Sequence, residues 1–322
     1  MTQHQQYTTE HTAVVDAPPR ALYGLVADVT RWPAVFGPCV HVHHIERSEH
    51  EERFEIWAQV GHDVSSWTSR RELDPEGLRV AFVQEQSRAP IATMSGEWLF
   101  RELPGNRTEL VLLHTFTAVD DDPAAVRWIT EALDRNSTAE LAALARVAGS
   151  GYAVEQLVFS FTDTLPLPGL AADAYSFVHR ADRWAEELPH VAEVVLKEFP
   201  GGVQDLRMET VTGDGSTHST HSTRVCREPN WIAYKQRVTP KLLLGHSGLW
   251  TFIEGDGAEG AVATATHTVS LDPSAIAEVL GEGSTVDDAR TYIREALGRN
   301  SLATLSFAAA HAAAKTQKLS AA

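Results

Sequence analysis

Glu131-Ala132-Leu133-Asp134-Arg135-Asn136-Ser137 reappears 164 residues later as Glu295-Ala296-Leu297-Gly298-Arg299-Asn300-Ser301. Outward from this pair, Ser95-Gly96-Glu97-Trp98-Leu99-Phe100 matches Ser247-Gly248-Leu249-Trp250-Thr251-Phe252. Arg31-Trp32 matches Arg183-Trp184, and His114-Thr115 matches His267-Thr268. These three offsets are 152, 152 and 153, so register holds until one late insertion around Ala277 to Asp288, read as a Gly- and Glu-rich loop. Chance gives one such match, not four in the same order. The 322-residue chain is therefore two copies of one domain, expected at 1–148 and 155–322. Ala148-Gly149-Ser150-Gly151 has the composition of a flexible linker, expected over 149–154.

Each copy has the same element pattern. Thr8 to Val15 alternates as a strand, and Asp16-Ala17-Pro18-Pro19 opens a helix with Asp16 as the expected N-cap. Ala21, Leu22, Leu25 and Val26 give that helix an apolar stripe, and a second short helix is expected near Thr30. Six strands follow, over 40–46, 53–60, 65–73, 78–86, 93–102 and 108–117, with turn signals at Pro75-Glu76-Gly77 and Pro104-Gly105-Asn106. A long helix from Pro123 to Val147 closes the copy. The expected class is α+β: two tandem domains, each a curved antiparallel sheet of about seven strands wrapped around a long C-terminal helix, with two short helices. A sheet folded around a helix leaves room for a ligand cavity.

Composition excludes several function classes. Lys and Arg number 27 against 43 Asp and Glu, a net charge of −16, too acidic for a diffuse affinity for nucleic acid or for an anionic membrane surface. No apolar run approaches the roughly 20 residues of a membrane helix. The polar start MTQHQQYTTEHT has no signal-peptide core, and two cysteines, Cys39 and Cys226, make no disulfide framework. A reducing cytoplasm is the expected location.

Strand alternation puts Trp67, Ser69 and Arg71 on one face, continued by Leu73, which makes it the buried one. An arginine there is paired with an acid on a neighbouring strand or is turned to a ligand, because an unpaired buried charge is costly. The second copy has Thr220, Ser222 and Arg224 at these positions, so serine and arginine recur two residues apart. His114 and His267 lie on the last strands, and Trp98 and Trp250 are core aromatics or cavity walls. On the long helix Leu133, Asn136 and Glu140 fall on one side, so Asn136 is a candidate polar group facing the sheet, with Asn300 its counterpart. Cys39-Val40-His41 is half of a Rieske pattern without its second half. His41, His43, His44, His218 and His221 lack a metal-ligand spacing, so no metal is expected. Neither a Gly-rich phosphate loop nor a Gly-x-Ser-x-Gly nucleophile motif is present.

Arg31-Trp32-Pro33, Trp67-x-Ser69-x-Arg71, Met94-x-x-x-Trp98 and Arg135-Asn136-Ser137, in this order, with the second copy extending the likeness over nearly the whole chain, resemble the two-domain aromatase/cyclases of bacterial type II polyketide synthases. The resemblance implies tandem helix-grip (START-like) domains, with a tunnel for a poly-β-ketone tethered to an acyl carrier protein. It also implies other polyketide synthase components as partners, and antibiotic biosynthesis as the setting. The implied reaction is regiospecific first-ring closure by intramolecular aldol condensation, then dehydration to an aromatic ring, without cofactor. Two-domain members also resemble enzymes acting on chains already reduced at C9. By resemblance the pocket arginine is Arg71, the serine Ser69, the tryptophans Trp32, Trp67 and Trp98, and the helix asparagine Asn136. In the second copy Trp184, Ser222, Arg224, Trp250 and Asn300 match, while Thr220 replaces a tryptophan. Cys39 and Ile91 stand where single-domain members often carry a tyrosine and an aromatic, so ring position, C7–C12 or C9–C14, does not transfer.

The chemistry suits these groups. A β-diketone methylene is already acidic, so the main task is to fold a flexible chain into one reactive geometry. Arg71 with Ser69, and in the second copy Arg224 with Ser222, would stabilise a developing oxyanion. A neutral His114 would move the proton. The alternative is a non-catalytic carrier of a lipid or hydrophobic ligand, which would line its tunnel with apolar groups; a third reading is a chaperone-type protein with a filled cavity. An acidic carrier protein meeting an acidic chain calls for a local basic patch, with Arg20 and Arg31, or Arg180 and Arg183, as candidates.

Overall fold

The structure, a computed structural model, describes residues 5–61, 63–211, 217–255 and 260–320. The first four residues of the polar N-terminal stretch lie outside them. Two compact units divide the chain, Met1–Val158 and Phe159–Ala322.

In the first unit β1 (Tyr7–Val15) precedes two short helices, α1 (Pro19–Ala27) and α2 (Trp32–Val35). Six strands follow: β2 (Cys39–Arg47), β3 (Glu51–Val60), β4 (Asp63–Asp74), β5 (Arg79–Gln84), β6 (Ile91–Leu103) and β7 (Arg107–Ala118). The 26-residue α3 (Pro123–Ala148) comes next, then α4 (Val154–Leu157). The antiparallel sheet runs β1-β7-β6-β5-β4-β3-β2, so the first and last strands of the domain are neighbours. α1 packs on β5, β6 and α3, and α3 packs on β1 and β7. Leu22, Leu25 and Val26 of α1 and Ile129 and Leu144 of α3 are buried, and each contributes about 1.5–3 kcal/mol of apolar burial.

The second unit repeats the plan. β8 (Val158–Pro166), α5 (Ala171–His179) and α6 (Trp184–Glu187) lead into β9 (Val191–Phe199), β10 (Val203–Val211) and β11 (Thr217–Arg227). Then come β12 (Trp231–Gln236), β13 (Leu243–Ile253), β14 (Val262–Leu271), α7 (Ile276–Leu280) and the 35-residue α8 (Val286–Ser320). The strand order β8-β14-β13-β12-β11-β10-β9 is that of the first sheet. The α+β class and the seven-stranded sheets match the sequence reading.

Three local readings are corrected. Asp16 does not cap α1: the N-cap is Pro18, with no side-chain capping bond, because Pro19 already fills the first helical turn. Asp28 caps the following 3₁₀ turn instead, accepting from Thr30 N at 3.1 Å. The late insertion is not simply a loop, since it carries most of α7 before Gly281 (φ 99°) breaks the helix. Within the expected linker, Gly149 caps the end of α3 and Val154 already begins α4.

The repeated Ser-Gly has a packing cause. Phe82 of β5 sits opposite Gly96 of β6, which sits opposite His114 of β7. A Cβ on Gly96 would lie 2.5 Å from the Phe82 ring, so the glycine lets that ring lie across the sheet toward His114. Tyr234, Gly248 and His267 form the same row in the second unit.

Candidate active site

A cavity of about 290 Å³ opens between the first sheet and α3, near the small end of ligand sites. Trp32, Trp67, Ser69, Arg71, Trp98, His114 and Asn136 all line it. Strand alternation brings Trp67, Ser69 and Arg71 to the wall, as read from sequence. The α3 stripe Ile129, Leu133, Asn136, Ser137 and Glu140, at three- and four-residue spacing, closes it.

Arg71 is only 1% exposed, and most of its donors are spent on the protein. Its Nε and Nη2 donate to Glu52 Oε1 at 2.8 and 2.5 Å. Nη1 donates to Val26 O at 2.8 Å and Nη2 to Ala27 O at 2.7 Å. Of the five guanidinium N–H groups this leaves one, on Nη1. Glu52, directly across the β3–β4 ladder, is 2% exposed, and His44 Nε2 lies 3.0 Å from its other oxygen. Burial pushes the Glu52 carboxyl up, but His44 and the Arg71 guanidinium outweigh it and hold it below the usual carboxylate range. Trp32 lies over the guanidinium, 4.9 Å from ring centroid to Cζ, and donates from Nε1 to Val26 O at 3.2 Å. Arg71 thus clasps the end of α1, β3 and Trp32 together. Arg71 is thus paired with an acid on the neighbouring strand and also lines the cavity.

Ser69 Oγ donates to Val83 O at 3.2 Å. His114 meets the Phe82 ring edge at 5.5 Å, and its buried Nδ1 has no hydrogen-bond partner among the described residues. Burial, with a smaller contribution from His11, pushes His114 down to about 4, so it is neutral at pH 7. Ser137 Oγ is likewise buried and unpartnered. Two such atoms lining one cavity, one from the sheet and one from α3, call for water or a ligand.

Sequence reasoning did not select Glu140, Ser137 or Arg88 as site residues. Glu140 shares the helix side of Asn136, one turn on, which was the available signal. Burial pushes its carboxyl up to about 7. Arg88, in the β5–β6 connection, is exposed while lining the cavity.

In the second unit the corresponding residues bond to one another. Ser301 Oγ donates to Leu297 O at 3.0 Å and lies 2.5 Å from His267 Nε2, which therefore carries the proton. The single lone pair of His267 Nδ1 is then shared between two donors, His246 Nε2 at 2.9 Å and Tyr234 Oη at 3.2 Å. Tyr234 also packs beside Trp250, centroids 6.3 Å apart. Arg224, 3% exposed beneath Trp184, donates from Nη2 to Val178 O at 2.6 Å, but Gln204 replaces a carboxylate across the ladder and Nη1 is unpartnered. Ser222 is buried on the same strand, whereas Asn300 on α8 is exposed.

Of the four arginines named for a basic patch, Arg20 and Arg183 are exposed, while Arg31 and Arg180 are held in ion pairs. Arg31 pairs with Asp28 at 3.0 Å, with Glu155 at 3.8 Å, and Arg180 pairs with Asp182 at 2.8 Å. Among the described residues no helix is long and apolar enough to cross a membrane.

Residues 15–140 match the family described as polyketide cyclase / dehydrase and lipid transport. The chain is 60% identical to the granaticin polyketide synthase bifunctional cyclase/dehydratase of Streptomyces violaceoruber, over 94% of this chain and 93% of that one. It is 51% identical to the actinorhodin polyketide synthase bifunctional cyclase/dehydratase of Streptomyces coelicolor, over 97% and 99%. The crystal structure of the di-domain ARO/CYC BexL from the BE-7585A biosynthetic pathway superposes with a TM-score of 0.83 at 46% identity, covering 95% of this chain and 98% of that one. The chain belongs to the two-domain polyketide cyclase/dehydratase family.

Proposed function

We infer that the first unit's cavity is where a poly-β-ketone is folded, closed into its first ring by aldol condensation and dehydrated toward an aromatic ring. The observation that carries this is the convergence of seven side chains, read from sequence, on one cavity. Polyketide cyclisation and dehydration is the activity of the family; the residue roles are our reading. Trp32, Trp67 and Trp98 set the shape that brings nucleophilic carbon and carbonyl together. Arg71 offers its remaining Nη1 proton and its positive field to the enolate or alkoxide oxygen, with Ser69 beside it. Neutral His114 accepts the proton from carbon, and Asn136 orients the chain from α3. Arg224, Ser222, Trp184, Trp250 and Asn300 are the second unit's counterparts; its self-bonded histidine favours a supporting role there.

We further propose that the domains run over 1–148 and 155–322, that the protein works in the cytoplasm without a cofactor, and that its substrate arrives on an acyl carrier protein. Arg88, exposed at the cavity and without an ion-pair partner among the described residues, replaces the paired Arg31 and Arg180 as the carrier contact. Reconstitution of a minimal synthase, with and without ketoreductase, tests the reading. Adding this protein should convert shunt products into one first-ring regioisomer, and the same mixture with or without it would defeat the proposal. Arg88→Glu should slow turnover of carrier-bound substrate while sparing a carrier-free thioester mimic.

A further inference from the structure

Arg224 of β11 is buried without the carboxylate that Glu52 gives Arg71. Its one hydrogen bond among the described residues runs from Nη2 to Val178 O, and its buried Nη1 has no partner there. Gln204, directly across the β10–β11 ladder, spends its amide elsewhere. Its Nε2 donates to Glu198 Oε1 at 2.9 Å, and its Oε1 accepts from Cys226 Sγ at 3.6 Å. Tyr175 of α5 is the second unsatisfied group. It is 2% exposed, its ring centroid 5.6 Å from those of His179 and Phe252, and its Oη has no partner among the described residues. Arg224 and Tyr175 are close enough for each to act electrostatically on the other.

The groups packed around this pair supply no buried negative charge. Burial pushes the Tyr175 phenol far above its ordinary range, so it keeps its proton and can donate it. Burial also pushes the Cys226 thiol up and, with Arg224 adding to it, the His179 imidazole down, so both are neutral near pH 7. Arg227 adds positive charge. Glu198 and Glu228 act on the pair electrostatically, but both are exposed and neither forms an ion pair with Arg224 among the described residues. A buried cation beside a buried donor, with no acceptor for either, is costly. Water would satisfy the donors without balancing the charge; an anion does both. We propose that the second unit binds a small monovalent anion of the halide class between Arg224 Nη1 and Tyr175 Oη, in the role that the Glu52 carboxylate fills in the first unit. Both flanking groups donate, so a ligand that only accepts suits them, and one unit of charge balances one guanidinium. The first unit shows the same arrangement with the charge built in: Tyr23, at the place of Tyr175, feels both Arg71 and Glu52. Arginine and tyrosine are common to the two copies, and a ligand takes over from the carboxylate in one of them.

This inference is independent of the reaction assigned to the first cavity. In the test, full-length protein is held in urea at constant ionic strength while sodium gluconate, whose anion is too bulky for the site, is replaced by sodium chloride. Hydrogen exchange of the α5 and β11 amides reads the second unit, and that of α1 and β4 reads the first. A ligand that binds only the folded state lowers the opening constant by a factor of 1 + [Cl⁻]/Kd, about tenfold when chloride is about ten times Kd. Chloride, and bromide in its place, should therefore protect α5 and β11 but not α1 and β4. Arg224→Met and Tyr175→Phe should lose most of this response. Gln204→Glu restores the carboxylate and should make α5 and β11 equally protected in both salts, which keeps the outcome decisive should Arg224→Met not fold. In crystals grown with bromide, an anomalous peak should lie within hydrogen-bond distance of Nη1 and Oη. Equal protection of wild type in gluconate and chloride overturns the proposal. So does a chloride response that Gln204→Glu leaves unchanged, or bromide found at the surface alone, since either marks an adventitious ion only.

Discussion

Phe82, Gly96 and His114 occupy the same row of the first sheet that Tyr234, Gly248 and His267 occupy in the second. Met94, Phe116's ladder partner, likewise corresponds to His246, and Ser137 to Ser301. In the first unit apolar Phe82 and Met94 stand in the places of Tyr234 and His246, and Nδ1 and the serine hydroxyl go unpartnered beside a cavity. In the second, a phenol and an imidazole supply the missing donors, and the polar groups satisfy one another. The two copies thus spend one inherited histidine differently. The first leaves it on a cavity wall without a hydrogen bond at Nδ1; the second uses it to hold β12, β13, β14 and α8 together. The arginines invert this pattern, Arg71 being clasped by a carboxylate that Arg224 lacks.

The largest expected effect follows from that inversion. Arg71→Ala should leave buried Glu52 with His44 alone as its charge partner and cost about 3–5 kcal/mol, seen as a lower denaturant midpoint. Arg224→Ala strands no carboxylate and should cost clearly less. Equal midpoints for the two variants would erase the distinction drawn between the clasps.

The histidines come next. His267→Ala removes the partner of three buried polar groups, at about 1–3 kcal/mol for a group left unsatisfied. His114→Ala breaks no protein hydrogen bond among the described residues, so it should change stability little while slowing turnover on the order of 10²-fold or more. Unfolding midpoints and product yields, measured on both variants, should dissociate in opposite directions.

Acid should act on the same contrast. His246 is held down to about 3 and His267 to about 4, burial being the main cause in each, whereas an unfolded histidine titrates near 6.5. Between these values the unfolded chain binds protons that the native chain refuses, so this stability is complete above about pH 6.5 and is lost as pH falls. The slope is up to about 1.4 kcal/mol per pH unit for each histidine. The first unit carries one cavity histidine of this kind, His114 at about 4. Amide exchange from pH 7 to 5, corrected for intrinsic rates, should show β13 and β14 losing protection before β6 and β7. The reverse order would mean that the His246–His267 pair is not what limits acid stability.

Much of this was legible in the chain because duplication supplied an internal control. The paired Ser-Arg, the glycine of the Ser-Gly motif and the helix Asn-Ser stand out against their counterparts, and alternation alone places Trp67, Ser69 and Arg71 on the cavity wall. What stayed hidden depends on register across strands. That Glu52 faces Arg71, and that Gln204 faces Arg224, follows from the β3–β4 and β10–β11 pairings, which have no local signature. Glu140 was visible as a position on a helix face, yet its chemistry depends on desolvation by a sheet distant in sequence. The pairing of Arg31 with Asp28 was in plain view, three residues apart, and argues against reading a lone arginine as a docking site.

The finest test grafts one atom from the second unit onto the first. Phe82→Tyr adds a phenol where Tyr234 has one, and Gly96 leaves the same space for the ring that Gly248 leaves for Tyr234. The new hydroxyl should donate to His114 Nδ1, as Tyr234 does to His267 at 3.2 Å. One buried hydrogen bond is worth about 0.5–1.5 kcal/mol, so the unfolding midpoint should rise. Fixing Nδ1 as the acceptor forces the proton onto Nε2, the nitrogen left for the cavity, and the imidazole can no longer take a proton there. Turnover should therefore fall as stability rises, and nitrogen NMR should report a single Nε2–H tautomer. A variant that gains stability and keeps full activity would show that His114 works through neither nitrogen as a base, and that the difference between the two copies lies in cavity shape alone.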